Sequence, residues 1–408
     1  MPKHLIIIGG GQAAAQAVQT LRQNNYGGRI TLVSEEHYVP YQRPPLSKKY
    51  LAGELERERL YLRPARFYAD RDVTLKLGNR ADRLEPSARR VILGDGRALD
   101  YDGLMLATGS RVRRLDVPGS GLDGIHYVRT IADADAIRAE LKPGKKLVTV
   151  GAGYIGLEIA SIAAALGVDV TVLEAVDRVL ARVVCPEVSQ FYLNYHTKAG
   201  AEIHCNTGVA AFHGQRGVDA VETTAGRRFS CDLVVVGIGI LPEVGLAEES
   251  GLTCDNGIVV DDHARTEDPN IVAAGDCTNH PSFLTGRRIR LESVHNAIEQ
   301  AKTAALSLIG ESQAYAQVPW FWSDQFDLKL QIAGLSEEHD HVVIRGNPDD
   351  NRFSACYLRE GKLVALNAVN SPRDFIFGRK LIATETVLRP EQLADSATSL
   401  GDLVTAAD

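Results

Sequence analysis

Apolar and polar positions near the start of the chain follow a strand–helix–strand order. Residues 5–8 form a continuous apolar run, which is typical of a parallel strand buried on both faces. Glycines occupy positions 9–11, and the apolar positions within 12–24 then suit a helix. Residues 29–33 form a second apolar run, which is closed by the polar residues 34–36. This pattern predicts one βαβ unit.

The same order of elements returns in residues 145–174. An apolar run at 147–150 precedes a glycine-rich loop at 151–156, a helix at 157–166 and a strand at 169–173. The two repeats begin about one domain length apart, which predicts an internal duplication of the βαβ unit.

Further apolar runs predict buried strands that end beside small or acidic residues. The run at 104–106 leads into Ala107-Thr108-Gly109, and the run at 233–236 leads into a glycine. We expect the chain to cross between domains soon after each of these two strands. A later run at 271–274 is followed by Gly275 and Asp276.

The composition of the chain changes after about residue 312. Both tryptophans, Trp320 and Trp322, lie here, and strand-like segments follow before a helical tail. These segments are 328–334, 341–345, 353–358 and 363–369. The pattern predicts an α+β module without a nucleotide fingerprint.

The predicted fold class is therefore α/β, with two Rossmann-like dinucleotide-binding domains and a C-terminal α+β interface domain. The first dinucleotide-binding domain is expected to be discontinuous, with the second one inserted into it. The predicted bounds are 1–112 and 236–312 for the first domain, 113–235 for the second and 313–408 for the interface domain.

Charge and cysteine spacing exclude several classes of protein. The 408 residues carry 45 Lys+Arg against 52 Asp+Glu, a net charge of −7, which disfavours general binding to nucleic acid or anionic membranes. The six cysteines are at least 20 positions apart, which excludes a CxxC redox pair and a zinc knuckle. Free thiols and the short N-terminal apolar run predict a cytoplasmic protein.

The first glycine loop has the fingerprint Gly9-x-Gly11-x-x-Ala14. The first glycine allows a tight turn, the second lets a pyrophosphate approach the backbone, and the small third residue lets helix and strand pack closely. Glu35 ends the second strand, where a carboxylate accepts hydrogen bonds from ribose hydroxyls. This loop predicts a dinucleotide site.

The second loop, Gly151-x-Gly153-x-x-Gly156, meets the same test, with Ile155 inside it and Glu174 at the end of the next strand. Two fingerprints imply two dinucleotides. Because one enzyme seldom needs two nicotinamides, we interpret them as FAD and NAD(P)H sites, between which a hydride passes.

The ordered motifs resemble a known family. The two fingerprints, Ala107-Thr108-Gly109 and Ala274-Gly275-Asp276 resemble the pyridine nucleotide–disulfide oxidoreductase superfamily, whose fold is glutathione-reductase-like. The segment Arg43-Pro44-Pro45-Leu46-Ser47-Lys48 and the segment Trp320-Phe321-Trp322-Ser323-Asp324 are similar to those of the FAD-dependent ferredoxin reductases of bacterial oxygenase systems. The resemblance covers essentially the whole chain.

This resemblance implies that the first fingerprint binds FAD and the second binds NADH. The residues that it places on FAD are Ala14, Glu35, Lys48, Ala81, Arg129, Asp276 and Val294. The matching motifs add further cofactor-binding candidates, which are Arg43, Thr108, Gly109, Gly275 and Trp322. For Asp276 the chemistry of a strand-end carboxylate also fits ribityl hydroxyls, whereas the alternative is a helix N-cap.

Lys48 and Glu158 are the predicted catalytic residues. In the family resembled, such a pair lies beside the reactive edge of the isoalloxazine. A cation there stabilises negative charge on reduced flavin, and a carboxylate makes its burial tolerable. The alternatives are a solvated surface lysine and a first-turn carboxylate favoured by the helix dipole.

The absence of a cysteine before Cys185 decides where electrons go. The disulfide branch of the superfamily needs a CxxxxC pair after the first fingerprint, and the peroxidase branch needs one cysteine near positions 38–43. Because both are missing, the flavin must reduce an external acceptor directly.

The resemblance implies that the acceptor is an acidic two-iron two-sulfur ferredoxin that docks transiently on a monomer or weak dimer. Arg287, Arg288 and Arg290 form a candidate docking face, and Arg63 with Arg66 forms another; the alternative is a solvated charge run. Trp320 and Trp322 are interpreted either as docking residues or as core. His295 is a weaker acid–base candidate, because hydride transfer requires little proton chemistry from the protein.

Two other functions fit the same motifs. One is an NADH oxidase or another NADH-acceptor reductase. The other is an NADH-sensing flavoprotein of apoptosis-inducing-factor type, which would turn over slowly with every acceptor.

Overall fold

The computed structural model describes residues 2–405, which form alternating strands and helices. The strands are β1 (His4–Ile8), β2 (Arg29–Ser34), β3 (Val73–Leu77), β4 (Ala81–Glu85), β5 (Arg90–Leu93), β6 (Ala98–Asp100), β7 (Gly103–Leu106), β8 (Ser110–Val112), β9 (Ile125–His126), β10 (Lys146–Val150), β11 (Asp169–Leu173), β12 (Glu202–His204), β13 (Val209–His213), β14 (Ala220–Thr223), β15 (Arg228–Ser230), β16 (Leu233–Val236), β17 (Ile240–Pro242), β18 (Ile258–Val259), β19 (Ile271–Ala273), β20 (Thr278–Pro281), β21 (Arg288–Ile289), β22 (Trp320–Gln325), β23 (Leu328–Gly334), β24 (His341–Asn347), β25 (Arg352–Arg359) and β26 (Lys362–Val369).

The helices are α1 (Gln12–Gln23), α2 (Ala65–Ala69), α3 (Ile131–Glu140), α4 (Tyr154–Ala165), α5 (Pro186–Lys198), α6 (Gly245–Glu249), α7 (Val294–Leu308), α8 (Pro372–Ala383), α9 (Pro390–Ala394) and α10 (Leu400–Thr405). A short 3-10 turn at Pro44–Ser47 precedes Lys48.

The chain divides into two compact units, each made of separate segments. The first unit comprises the chain up to Arg43, Glu56–Arg111 and Ile240–Pro319. The second unit comprises Pro44–Leu55, Val112–Gly239 and the chain from Trp320 on. The predicted domain bounds remain a prediction. The predicted division of the second unit into a nucleotide-binding domain and an interface domain remains a prediction.

The first unit contains a five-stranded parallel sheet with the order β19-β7-β1-β2-β3. The apolar run predicted as the first strand lies at its centre, where every residue of β1 is buried and pairs with β2 on one side and β7 on the other. A small antiparallel sheet, β4-β5-β6, was not predicted from the sequence. Its strands are short and only half-buried, so they lack the continuous apolar runs that mark the parallel strands.

The second unit repeats this arrangement in a sheet with the order β12-β11-β10-β16-β9. Strand β10 pairs in parallel with β11 and β16, as β1 pairs with β2 and β7 in the first unit. The same arrangement of strands in the two sheets confirms the predicted duplication of the βαβ unit. The carboxyl ends of β10 and β11 lie at one edge, where the second fingerprint begins.

The C-terminal segment of the second unit is a five-stranded antiparallel sheet with the order β22-β23-β26-β25-β24, followed by helices. The predicted strand-like segments correspond to β23–β26, and the predicted α+β character and fold class are confirmed. The sequence pattern missed β22, which carries both tryptophans. One apolar core joins this sheet to α4 and α5, with Tyr192, Leu330 and Phe353 in its interior.

Two further observations concern the helices and the cysteines. Within residues 2–405, no helix is both long and apolar enough to cross a bilayer. All six cysteines are free thiols, and Cys185, Cys231, Cys277 and Cys356 are buried.

The Tyr357 hydroxyl links the antiparallel sheet to the start of α5. It accepts a hydrogen bond from the Cys185 backbone N–H at 2.8 Å and donates to Asn367 Oδ1. Tyr357→Phe leaves this buried N–H without a partner, so we expect the free energy of unfolding to fall by about 1–3 kcal/mol. Tyr192→Phe is the matched control, because its equally buried hydroxyl has no hydrogen-bond partner in the described part of the chain. Urea midpoints of the two variants give the measurement, and equal midpoints would contradict this account.

Candidate dinucleotide and redox site

The first fingerprint has the geometry of a pyrophosphate cradle. Gly9 has a φ of +133°, and a Cβ built on it would lie 2.0 Å from the Ala107 carbonyl oxygen. A Cβ built on Gly11 would meet no described atom within 4 Å. Ala14 is fully buried behind the loop. There is therefore no room for a side chain at the turn position, Gly9, and the packing position, Ala14, is buried. Gly11, which is expected to face the pyrophosphate, has free space beside its Cα.

The second fingerprint repeats this geometry. Gly151 has a φ of +98°, and a Cβ on Gly156 would lie 2.0 Å from the Gly151 carbonyl oxygen. A Cβ built on Gly153, as on Gly11, would meet no described atom within 4 Å. Ile155 lies in the first turn of α4, not in the loop, and it is 39% exposed.

The helices behind both loops present free N–H groups. Gly11 is the N-cap of α1 and Gly153 is the N-cap of α4, and in the described chain neither helix start is capped by a side chain. N–H groups at a helix start and the helix dipole both favour an anion. The two loops therefore fit the pyrophosphates of two dinucleotides.

The acidic residues at the strand ends differ in their contacts. Glu35 is 73% exposed, and its carboxylate lies 3.9 Å from the Arg80 guanidinium, so it is accessible to a ribose. Its neighbour Glu36 is bound by Arg43 at 2.6 Å and by the Tyr41 hydroxyl at 2.5 Å. Arg43 thus contacts Glu36, and its predicted role on FAD remains a prediction.

Glu174 is already hydrogen-bonded to the second fingerprint. Its Oε2 accepts from the Ala152 N–H at 2.6 Å, and its Oε1 accepts from the Val176 N–H at 3.0 Å. The carboxylate therefore stabilises the fingerprint loop through its hydrogen bond to Ala152. It also places negative charge where the adenosine ribose is expected.

Three predicted cofactor residues of the first unit lie at one edge of the parallel sheet. Thr108 and Gly109 follow β7, and Asp276 follows β19, the neighbouring strand. Asp276 accepts from the Ser110 hydroxyl at 2.9 Å. The segment after Asp276 is strand β20, so the alternative of a helix N-cap is wrong. Gly275 has a φ of +92°, and its N–H donates to Gln300 at 2.8 Å.

Other predicted cofactor residues lie in different elements. Ala81 begins β4, and Val294 begins α7, both in the first unit. Arg129 lies in the second unit, beside the capping box of α3, where its N–H donates to Asp133 at 3.0 Å. Trp322 lies in β22, also in the second unit. Their roles on FAD remain predictions.

Lys48 and Glu158 form the buried ion pair that the sequence predicted. Lys48 Nζ lies 2.7 Å from Glu158 Oε2, and the side chains are 13% and 1% exposed. The Ser47 hydroxyl donates to the same carboxylate oxygen at 2.6 Å. Lys48 is therefore not a solvated surface lysine. Glu158 lies on α4, only two residues beyond Gly156 of the second fingerprint.

Burial raises the pKa of the Glu158 carboxyl above its usual value, whereas the Lys48 charge and hydrogen bonds from Lys48, Ser323 and Ser47 oppose that rise. An unpaired carboxylate at this depth would take up a proton. The arrangement provides a fixed buried cation with a carboxylate counterion.

Sequence reasoning missed the partners on the other side of Glu158. Its Oε1 accepts from the Ser323 hydroxyl at 2.6 Å, and Gln325 Nε2 donates to the same hydroxyl at 3.1 Å. Gln325 Oε1 lies 2.8 Å from His196 Nε2 on α5. Ser323 lay in a motif used for the resemblance, but no local pattern relates it to Glu158, 165 residues away.

The predicted docking arginines have internal contacts. Arg290 is only 14% exposed and pairs with Glu292, and the Arg288 guanidinium donates to the carbonyl oxygens of Val260 and Asn279. In the other cluster, Arg63 donates to Gln19 at 2.7 Å, while Arg66 is exposed. His295 lies in the first turn of α7 and is buried.

The two tryptophans belong to an aromatic array within the second unit. Trp320 and Trp322 have ring centroids 5.5 Å apart, and Trp320 packs against Phe375 of α8 at 5.6 Å. Phe321 packs against Tyr154 of α4 at 4.5 Å. The array connects the second fingerprint helix to α8.

Comparison with known proteins identifies relatives over the whole chain. Residues 3–301 match the family described as pyridine nucleotide-disulphide oxidoreductase, and residues 320–404 match the family described as reductase C-terminal. The chain is 46% identical to rhodocoxin reductase of Rhodococcus erythropolis over 393 residues, which cover 96% of this chain and 92% of that protein.

Two solved structures are similar at full length. The reductase in the covalent putidaredoxin reductase–putidaredoxin complex superposes with a TM-score of 0.97 and 40% identity, covering 99% of each chain. The ferredoxin reductase for the CYP199A2 system of Rhodopseudomonas palustris superposes with a TM-score of 0.96 and 40% identity, covering 100% of each chain.

The open glycines allow the two nucleotide sites to be tested separately. Gly11 and Gly153 have extended backbones that any residue adopts, so Gly11→Val and Gly153→Val are expected to fold. Gly11→Val should lose FAD. Gly153→Val should keep FAD and raise the KM for NADH at least about tenfold, because the new side chain displaces a pyrophosphate.

The measurements are flavin content, KM for NADH and thermal stability of each variant. Gly156→Ala is the contrasting control, since its Cβ would meet a backbone oxygen and should destabilise the fold. A folded Gly11→Val variant with full flavin content would show that FAD does not bind at the first fingerprint.

Proposed function

The chain belongs to the pyridine nucleotide-disulphide oxidoreductase family, and we propose that it is an NADH-dependent flavoprotein reductase that passes electrons through FAD to a two-iron two-sulfur ferredoxin serving a monooxygenase or dioxygenase. Relatives of this chain include proteins named rhodocoxin reductase and putidaredoxin reductase, and one named as the ferredoxin–NAD(+) reductase component of an anthranilate 1,2-dioxygenase system.

The observation that carries the proposal is the pair of open fingerprints in a chain whose sequence has no cysteine between the first fingerprint and Cys185. Two dinucleotides fit, and Cys185 is the first cysteine of the sequence. Cys277 lies beside the ends of β7 and β19, but it is fully buried, and burial raises its thiol pKa. Burial also raises the thiol pKa of Cys231 and Cys356 to about 12. Such thiols are inert, so electrons leave the flavin for an external acceptor.

The protein's own residues bind and orient the reactants. The second fingerprint binds the nicotinamide nucleotide and the first binds FAD, through N–H groups at the starts of α4 and α1. When bound, FAD supplies an acceptor for two electrons that can be released one at a time. Lys48 is proposed to stabilise the negative charge of the reduced cofactor, and Glu158 keeps this cation buried and oriented.

A cytoplasmic location belongs to this proposal. The supporting observation is that six free thiols are compatible with a reducing compartment.

NADH is expected to be preferred over NADPH by at least about tenfold, because a 2′-phosphate would meet the negative charge of Glu174. Glu174→Ala should narrow the ratio of kcat/KM values for the two nucleotides. Since the Glu174 carboxylate also stabilises the loop through its hydrogen bond to Ala152, KM should rise for both NADH and NADPH. A change in the ratio of their kcat/KM values therefore reports the loss of charge separately from the loss of this hydrogen bond.

Glu202→Ala is the matched control, since Glu202 begins the neighbouring strand β12 and lies away from the fingerprint loop. It should leave the ratio unchanged. A Glu174→Ala ratio equal to that of the control would show that another residue discriminates between the nucleotides.

An exposed basic surface on α8 offers a docking face. Arg373 and Lys380 are exposed and flank Ile376, whose side chain is 53% exposed. Their spacing places all three on one side of the helix. We call these residues the α8 face. An apolar centre with a basic rim fits an acidic protein, so we favour this face over the Arg287, Arg288 and Arg290 cluster for ferredoxin.

Charge reversal on the α8 face, Arg373→Glu with Lys380→Glu, should raise the KM for ferredoxin by about tenfold at low salt and flatten its salt dependence. Ferricyanide needs no docking face, so its reduction should stay close to the unmodified rate. Both acceptors are measured on the same variant across a salt series.

Arg288→Glu is the comparison variant. If it alone weakens ferredoxin reduction, the docking face is the arginine cluster. If the unmodified protein reduces ferricyanide but no ferredoxin of its source organism, the NADH oxidase or the NADH-sensing alternative replaces the ferredoxin proposal.

A further inference from the structure

Strand β22 presents alternate residues to two different surroundings. Phe321, Ser323 and Gln325 share one side of the strand, because side chains alternate along a strand. Phe321 contacts Tyr154 of α4, Ser323 contacts Glu158 of α4, and Gln325 contacts His196 of α5. This side of β22 therefore packs against helices α4 and α5 of the second unit.

The hydrogen bonds on this side of β22 have a defined direction. Glu158, as a carboxylate, only accepts, so the Ser323 hydroxyl must donate to it. Ser323 then accepts from the Gln325 amide, which leaves Gln325 Oε1 to accept from His196 Nε2. His196 therefore carries its proton on Nε2. Every donor in the series points toward Glu158.

The hydrogen-bond series ends at His196. His196 is fully buried, and its Nδ1 has no hydrogen-bond partner among residues 2–405. Burial lowers the pKa of His196, so the ring is neutral. Ser323 and Gln325 are also buried, at 0% and 1% exposure. Water thus offers little replacement for any donor that is removed.

We propose that Ser323, Gln325 and His196 are positioning residues that form an oriented hydrogen-bond chain, fixing the Glu158 carboxylate and through it the Lys48 ammonium during hydride transfer. The inference rests on the proposed function. None of the three residues is assigned contact with a cofactor. They act through Glu158, whose Oε2 is already occupied by Lys48 and Ser47.

The hydrogen bond from Ser323 is one of several interactions that lower the pKa of Glu158 against the effect of burial. The other titratable groups near Glu158 are Lys48, Tyr154 of α4 and Tyr192 of α5, with Asp324 of β22 acting on Tyr192. Burial keeps both tyrosines neutral by raising their pKa values. Loss of the Ser323 donor raises the pKa of Glu158 further, and a protonated Glu158 no longer fixes Lys48.

The test is the rate constant of flavin reduction by NADH in the FAD-loaded full-length protein, between about pH 6 and about pH 9. In Ser323→Ala the rate should fall as the pH decreases and recover at alkaline pH, where Glu158 is ionised again. The profile should move upward by about one to two pH units, the equivalent of one hydrogen bond to a charged group.

Ser354→Ala is the matched control. Ser354 is equally buried in the same sheet and also donates to a carboxylate, Asp374, at 3.0 Å. It should leave the pH profile unchanged. Gln325→Leu should shift the pH profile in the same direction as Ser323→Ala, but by a smaller amount. If Ser323→Ala does not fold, Gln325→Leu is measured in its place. A profile that coincides with the control in both variants overturns the proposal.

A second measurement does not depend on activity. Nitrogen NMR of histidine-labelled protein, assigned by difference from His196→Gln, should show the proton of His196 on Nε2. A proton on Nδ1 overturns the proposed direction of the chain. Failure of NADH to reduce the flavin in the unmodified protein at every pH would instead refute the proposed function, so the two failures are distinguishable.

Discussion

The buried ion pair between Lys48 and Glu158 constrains the rest of the second unit. An isolated carboxylate that is 1% exposed is unstable in its charged form, so it needs a cation and hydrogen-bond donors. These come from two segments far from Glu158 in sequence: Pro44–Leu55 provides Ser47 and Lys48, and β22 provides Ser323. Because α4 alone cannot satisfy Glu158, all three segments of the second unit meet at this carboxylate.

Local backbone requirements explain why the nucleotide sites were predictable. A tight turn, an open approach and a close helix–strand contact each demand a small residue at a fixed spacing, and the structure shows these three conditions at Gly151, Gly153 and Gly156. The buried strands before each loop are equally local, because a parallel strand covered on both faces must be apolar throughout. Fold class and fingerprint residues could therefore be predicted from the sequence.

The polar partners could not be predicted, because they are set by tertiary packing. Ser47 and Ser323 reach Glu158 across 111 and 165 residues, and the sequence contains no signal for such distances. The strand β22 was missed because its tryptophans, serine and acid do not form an apolar run. The density of arginines at 287–290 gave no indication of the contacts that Arg288 and Arg290 make with Val260 and Glu292, which appear only in the folded chain. Arg287 and Arg288 are exposed, whereas Arg290 is only 14% exposed.

The alternation of β22 assigns separate tasks to its two sides. One side, with Ser323 and Gln325, completes the polar surroundings of Glu158, while the other carries Trp320 and Trp322 toward α8. Trp320 packs on Phe375, and the exposed residues of the same helix form the α8 face. One strand thus borders both the pair proposed to stabilise reduced cofactor and the helix proposed to receive ferredoxin. The two sides are not independent, because Phe321, which packs on Tyr154 of α4, also lies beside Trp322, with their ring centroids 6.3 Å apart.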